Sequence, residues 1–417
     1  MKVFKFGGAS VKDADAIKNV AHILTSYPDQ KILVVVSAMG KTTNALERLV
    51  DSVFDKKNSA IEIFSEIRNN HFSIIEKLFE NRNHPIYQDI HNTFVELEWA
   101  VEEEPTQSYD CTYDQIVSIG EIISSKIISY YLNEVNLYNK WLDVRDVLKT
   151  DESYREAKVN WAETEQLVLD YLNKSSSNLV VTQGFIGVNA ENYTTTLGRE
   201  GSDYTASILA YCLNAECVII WKDVPGVLNA DPKFHENAIL LKHISYQDAV
   251  ELAYYGASVI HPKTIKPLQN RNIPLYVKSF LNPANEGTLI NNEPSSLPAP
   301  CFIFKRNQLL ISIYPKDFSF IVEDNLRDIF NSFADFKVHI NMMQNSALSF
   351  SVCVDDEKNK ISALIAQLSL NYKVLYNSNV ELLTIRYYNQ SVIDEMTRNK
   401  TILLEVKSRY NVQLVLQ

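Results

Sequence analysis

The sequence predicts an α/β protein: a sheet covered by helices up to about residue 290, then a smaller α+β region of ferredoxin-like order. Three observations carry this. Short β-branched runs alternate with helical patterns through the first part, the signature of a parallel or mixed sheet. Pro283, Pro294, Pro298 and Pro300 then fall close together among Asn, Ser and Glu, which is linker chemistry. Beyond them the order of elements becomes βαββαβ.

Taken in order, Lys2 to Phe6 reads as a strand and Gly7-Gly8 as a turn. Asp13 to Ser26 has helical periodicity, and Lys31 to Val36 is a β-branched run too short for a buried helix. Ile61, Phe64, Ile67, Phe72, Ile75, Leu78 and Phe79 recur at roughly helical spacing, which predicts a helical insertion over 55–110. Asp114 to Asn133 reads as a helix and Asn178 to Gln183 as a strand. Asp203 to Leu213, Glu216 to Trp221, Ser245 to Tyr255 and Ile273 to Val277 continue the alternation, giving one domain over 1–290. Past a linker at 291–300, strands are expected at 308–314, 336–343, 347–354 and 373–377, with helices at 321–332 and 358–370, forming a unit over 301–378. Residues 379–417 start a second copy, Val380 to Tyr388 then a short helix and two strands, and end before it closes. An incomplete sheet leaves an edge that invites pairing with its neighbour or with another subunit.

Composition excludes several classes. At a usual ~7% the 417 residues would hold about 29 glycines, but there are 11, none beyond Gly287. Glycine-rich linkers, collagen and β-helices are therefore excluded. No apolar run approaches the ~20 residues of a membrane span, and Met1 to Phe6 lead into glycine without a signal-peptide pattern, so a cytoplasmic location is expected. The five cysteines lack CxxC spacing, which argues against a disulfide framework or structural zinc; they are expected reduced and buried. Net charge is −11, and the 12 acidic against 5 basic residues of 55–110 read as a solvated helical face. Without a basic stripe, nucleic acid is not an expected partner.

The glycines that remain sit beside anion-handling chemistry. Gly40-Lys41-Thr42 follows a strand, as in a P-loop, but Val35 stands where that motif needs its first glycine. Lys5-Phe6-Gly7-Gly8 is better suited, because a strand ending in glycines lets backbone N–H groups approach an anion while the ammonium adds a point charge. Leu197-Gly198-Arg199-Glu200-Gly201-Ser202-Asp203 precedes a helix: Arg199 can hold a carboxylate bidentately, and Gly201 and Ser202 offer N–H groups at the helix N-terminus. Asp203 can cap the helix or reach into the site. Trp221 to Lys233 is an irregular stretch after a strand, with two lysines suited to phosphate.

KFGGAS at 5–10, SAMGKTTNAL at 37–46, SIGEIISSKI at 118–127, TTTLGREGSDYTA at 194–206, WKDVPGVLNADPK at 221–233 and GASVIHP at 256–262 resemble, in order and spacing, the motifs of the aspartate kinase family, of amino-acid-kinase fold. The tail resembles the paired ACT regulatory modules that follow that catalytic domain. The resemblance implies MgATP-dependent phosphorylation of the β-carboxylate of L-aspartate to 4-phospho-L-aspartate, the first step towards lysine, threonine and methionine. It implies that Lys5 and Asp203 are catalytic, and that Ser37, Thr43, Glu121, Arg199, Gly201 and Ser202 bind aspartate, Glu121 holding its ammonium and Arg199 its α-carboxylate. Lys5, Phe6, Gly7, Gly8, Lys222, Asp223, Leu228, Lys233, Ser258 and Val259 would bind ATP, with Mg²⁺ carried by the phosphates rather than by a protein site. It further implies a homodimer through the tail and an amino-acid effector there, although the loop Pro315 to Asp324 lacks the glycine such pockets commonly use.

The chain departs from the family at Glu200, where a glycine is more familiar, and at Lys222, Leu228 and Lys233, where Thr, Tyr and Arg are frequent. Ser258 replaces a frequent lysine, and Lys222 is expected to compensate. A kinase for another amino acid or small carboxylate, and a catalytically silent amino-acid sensor, remain alternatives at this level.

Overall fold

A computed structural model describes every residue except 56–58, 103–104, 258–259, 296–299 and 318. Val3, Phe4 and Phe6 flank Lys5 in β1 (Lys2–Phe6), and β2 (Ile32–Val36) is buried at every position. Such strands belong where helices cover both faces. With β3 (Lys140–Leu142), β4 (Leu179–Gln183), the small hairpin β5 (Ile186–Val188) and β6 (Thr194–Thr196), β7 (Cys217–Lys222), β8 (His243–Ser245), β9 (Leu275–Ser279) and β10 (Thr288–Asn291), they build the first unit. Its main sheet runs β3-β4-β2-β1-β7-β9-β10-β8, parallel except where β10 meets β9.

The helices of this part are α1 (Ala14–Thr25), α2 (Thr42–Phe54), α3 (Ala60–Leu78), α4 (Pro85–Glu102), α5 (Tyr109–Val117), α6 (Ile119–Glu134), α7 (Trp161–Lys174), α8 (Gly201–Leu213), α9 (Tyr246–Tyr255) and α10 (Pro262–Arg271). The expected insertion is a pair of helices, α3 and α4, with Phe64, Phe72 and Phe94 packed together. The single helix expected over 114–133 is two. Ser118 turns its hydroxyl back to the Gln115 carbonyl at 2.9 Å, a local bond that competes with the helical ladder and breaks it. Helices α2, α7 and α10 and strands β3, β5, β6, β8 and β10 are not among the elements that periodicity predicts. All five cysteines are free and buried. No helix among the described residues is long and apolar enough to cross a membrane.

By its contacts the chain forms two compact units: Met1–Val227 with Leu240–Val250 and Val259–Ser295, and Leu228–Ile239 with Glu251–Ser258 and Ser296–Gln417. The second unit holds β11 (Cys301–Pro315), α11 (Glu323–Asp335), β12 (Ile340–Asn345), β13 (Phe350–Asp355), α12 (Lys358–Asn371), β14 (Tyr372–Arg386), α13 (Gln390–Met396), β15 (Ile402–Lys407) and β16 (Asn411–Leu416). Its sheet is antiparallel, in the order β12-β13-β11-β14-β16-β15. The two strands expected at 373–377 and from Val380 are one continuous strand, and the strand expected at 308–314 begins at Cys301. Gln308–Pro315 pairs with Tyr372–Val380, while Cys301–Lys305 pairs with Leu382–Arg386 across a register shift near Asn307, whose φ is +55°. The copy that begins at 379 thus finds its further strand, Cys301–Lys305, at the start of the first copy's range, and the two modules interleave in one sheet.

Candidate active site

The parallel register of β1 and β7 sets Lys5 beside Ile220 and Phe6 beside Trp221, so Lys222 emerges one residue beyond the pair at the C-terminal edge of the sheet. Asp203, in the first turn of α8, completes the arrangement. Its carboxylate is fully buried, with Lys5 Nζ at 2.6 Å from Oδ1 and Lys222 Nζ at 3.5 Å from Oδ2. Burial pushes this carboxyl up, yet the ammonium of Lys5 and then that of Lys222 outweigh it and hold the group below its ordinary range. A buried carboxylate stays ionised only when compensated in this way.

Lys5 opens into a cavity of about 850 Å³, within the size of small-molecule sites. Gly8, Ser37, Thr43, Glu121, Arg199, Gly201 and Ser202 also line it. The glycines are steric requirements here. A Cβ at Gly8 would stand 2.9 Å from the Ala38 carbonyl oxygen, and one at Gly201 would meet the Phe185 ring at 2.5 Å. Gly7 leaves space beside the Lys5 ammonium, 3.4 Å from where its Cβ would be. Gly40, at φ +55°, donates its N–H to the Gly8 carbonyl and ties the two loops of the cavity together.

Glu121 is buried in α6. Its Oε1 accepts the Ala38 N–H at 3.3 Å, and its Oε2 has no hydrogen-bond partner. Desolvation dominates and pushes its pKa up to about 8, against the Ala38 N–H and the charge of Lys5. A buried carboxyl with an open oxygen in a cavity is suited to a cation brought by a ligand. Arg199 has no ion-pair partner among the described residues, which leaves its planar fork for an anion.

Other expected residues fall elsewhere. Phe6 is in the core, its ring stacked on Trp221 at 6.1 Å between centroids and edge-on to Phe280, so only its backbone faces the edge of the sheet. Asp223 is exposed after β7. Leu228 and Lys233 belong to the second unit, with the Lys233 N–H bonded to Asp231. Ser258 and Val259 lie outside the described residues.

The structure also adds residues. Asn44, Glu47, Asp110, Tyr113, Arg155, Glu156, Phe185 and Thr196 line the same cavity. Glu47 stands one helical turn beyond Thr43, so spacing alone could have found it. Tyr113 and Arg155 give no local signal. They are brought in by Asp114, whose buried carboxylate accepts the Thr196 hydroxyl at 2.7 Å, the Thr196 N–H at 2.8 Å and the Arg155 N–H at 3.0 Å. Burial pushes the Asp114 carboxyl up to about 6 despite these donors. Among the described residues, no group of three His, Cys, Asp or Glu side chains could hold a metal ion.

Comparison with known proteins agrees with this geometry. A model of the amino acid kinase family matches residues 1–279. The lysine-sensitive aspartokinase 3 of Escherichia coli (strain K12) is 33% identical over 355 residues, covering 85% of this chain and 78% of that protein. Two crystal structures of E. coli aspartokinase III, one with lysine and aspartate in the T-state and one with aspartate and ADP in the R-state, superpose with TM-scores of 0.84 and 0.81. They are 29% and 28% identical, and the alignments cover all of this chain and 95% and 96% of theirs. The chain belongs to the amino acid kinase family and, within it, to the aspartokinases.

Proposed function

We propose that this cavity transfers the γ-phosphoryl group of MgATP to the β-carboxylate of L-aspartate, giving ADP and the acyl phosphate 4-phospho-L-aspartate. One observation carries the reading: a fully buried carboxylate, Asp203, held between two ammonium groups at the C-terminal edge of a parallel sheet, where such sheets bind ligands. A β-carboxylate oxygen attacks the γ-phosphorus as the bond to the β,γ-bridging oxygen breaks. With a reference pKa near ~3.9 the acceptor is already ionised, so no general base is required. The obstacle is one anion approaching another, and the remedy is positioning and charge neutralisation.

In this reading Lys5 and the N–H groups of Gly7 and Gly8 neutralise the moving phosphoryl group. Asp203 holds Lys5 and Lys222 in place and contributes no proton. Lys222 meets the nucleotide phosphates in the role that a lysine at 258 would otherwise have, and Asp223 lines the nucleotide beside it. Arg199 grips the α-carboxylate, the open Oε2 of Glu121 receives the ammonium, and Ser37, Thr43, Gly201 and Ser202 satisfy the remaining oxygens. Mg²⁺ enters with the nucleotide, where phosphate oxygens and water supply most of its shell. The tail, by its resemblance to paired ACT modules, is assigned an amino-acid effector and the contact between two copies of the chain.

The test is direct. Incubated with MgATP, hydroxylamine and L-aspartate, the protein should trap the acyl phosphate as aspartyl hydroxamate. No product with aspartate refutes the reading, and faster product formation with glutamate transfers it to another carboxylate.

A further inference from the structure

Thirteen non-glycine residues among those described hold a left-handed backbone, and eight of them are Asn or Asp, which tolerate it. Of the other five, Arg155, Phe185 and Glu200 all line the one cavity above. Residues held against their preference gather where a site needs them.

Arg155 is the one among the three that brings a cation. Its φ is +67°, and its backbone is fixed from two sides: its N–H donates to Asp114, and the next residue but one, Ala157, donates to the Thr196 carbonyl at 2.9 Å. Its carbonyl oxygen lies 3.0 Å from where a Cβ of Gly198 would stand, so the segment runs directly against the turn that carries Arg199. The guanidinium lies over the Tyr113 ring, 4.4 Å from its centroid, and Tyr113 is in turn fixed by its hydroxyl donating to Glu47 at 2.7 Å. Its nearest carboxylate is Asp110, at 3.4 Å in an exposed pair, which is a weak competitor. Two guanidinium groups from adjoining loops thus line a single cavity.

We propose that Arg155 is a second carboxylate-binding residue for the acceptor, joining Arg199 on the α-carboxylate, and so a determinant of specificity for an amino acid with that group free. This rests on the kinase reading above. Arg199 engages the carboxylate from the turn that precedes α8, while Arg155, stacked on Tyr113, engages it from the adjoining loop. Tyr113 limits the freedom of the guanidinium before binding, which lowers the entropy lost on capture.

The position allows an informative variant, because glycine is the residue its backbone favours. Arg155→Gly removes the guanidinium without threatening the fold, and the melting temperature should stay level or rise. In the hydroxamate assay, KM for L-aspartate should increase roughly tenfold to a hundredfold, the worth of one charge-assisted hydrogen bond, while KM for MgATP and kcat change less than about twofold. Arg155→Lys, which keeps the charge but not the fork, should fall between. An unchanged KM for aspartate in Arg155→Gly, or parallel increases for both substrates, overturns the assignment. If the wild type forms no hydroxamate from aspartate, the kinase reading fails and the role of Arg155 with it. If the wild type is active and the variant matches it, only the role of Arg155 fails.

Discussion

Lys222→Ala tests the least expected part of the site. The two ammonium groups on Asp203 stand at 2.6 Å (Lys5) and 3.5 Å (Lys222). At an effective dielectric of ~20, Coulomb attraction is roughly 6 kcal/mol for the first and roughly 5 kcal/mol for the second, before desolvation offsets much of each. The two are comparable, so Lys222 is a full partner of the buried carboxylate. If its ammonium also meets a phosphate oxygen, one charge-assisted bond of about 1.5–3 kcal/mol disappears with it, or roughly tenfold to a hundredfold in apparent affinity. The expected result is a rise of that size in KM for MgATP and a fall in kcat, with KM for aspartate little changed. Lys222→Arg should restore part of the loss. A second readout is the acid limb of kcat against pH. The two ammonium groups lower the Asp203 pKa, so removing one should raise it and move that limb to higher pH. The assay is the hydroxamate reaction with MgATP varied at several pH values. An unchanged KM for MgATP together with an unmoved acid limb refutes the reasoning and leaves Lys222 a structural lysine.

Three further outcomes follow from the same site. Burial raises the Glu121 carboxyl to about 8, so below that pH the free protein holds it protonated and the cation-binding form is scarce; KM for aspartate should therefore fall as pH rises from 6 to 8 and level above it, and Glu121→Gln should flatten the slope. The folded protein binds this proton more tightly than the unfolded chain, so the group should also make stability decline as pH rises from the ordinary carboxylate range through about 8, which thermal melts with and without the Gln variant can check. A Cβ at Gly184 would meet the Cβ of Ser202 at 2.5 Å and its Cα at 2.7 Å, so Gly184→Ala should destabilise by about 1–3 kcal/mol and raise KM for aspartate by displacing Ser202; an unchanged melt and KM would falsify that packing argument.

Much of the site was legible in the sequence because its chemistry is local. Lys5, Gly7 and Gly8 end a strand, and Arg199 to Asp203 begin a helix, so residue type and a boundary identify them. Glu121 was legible only through the family motif, since a lone glutamate in a helix carries no signal of its burial. Arg155 and Tyr113 were illegible because nothing in their own segments marks them. They reach the cavity through the three hydrogen bonds that Asp114 accepts from residues distant in sequence.

The fold divides in the same way. Composition and periodicity determined the alternation of strands and helices, the helical insertion and the change to ferredoxin-like order after the prolines, because each depends on neighbours within a few residues. They could not show that Cys301–Lys305 would pair with Leu382–Arg386, since backbone hydrogen bonds across some 80 residues have no sequence code of their own. The tertiary structure likewise decided that Asp203 holds two lysines rather than capping a helix. Its burial made a lone carboxylate untenable, and the parallel register of β1 and β7 brought both ammonium groups within reach.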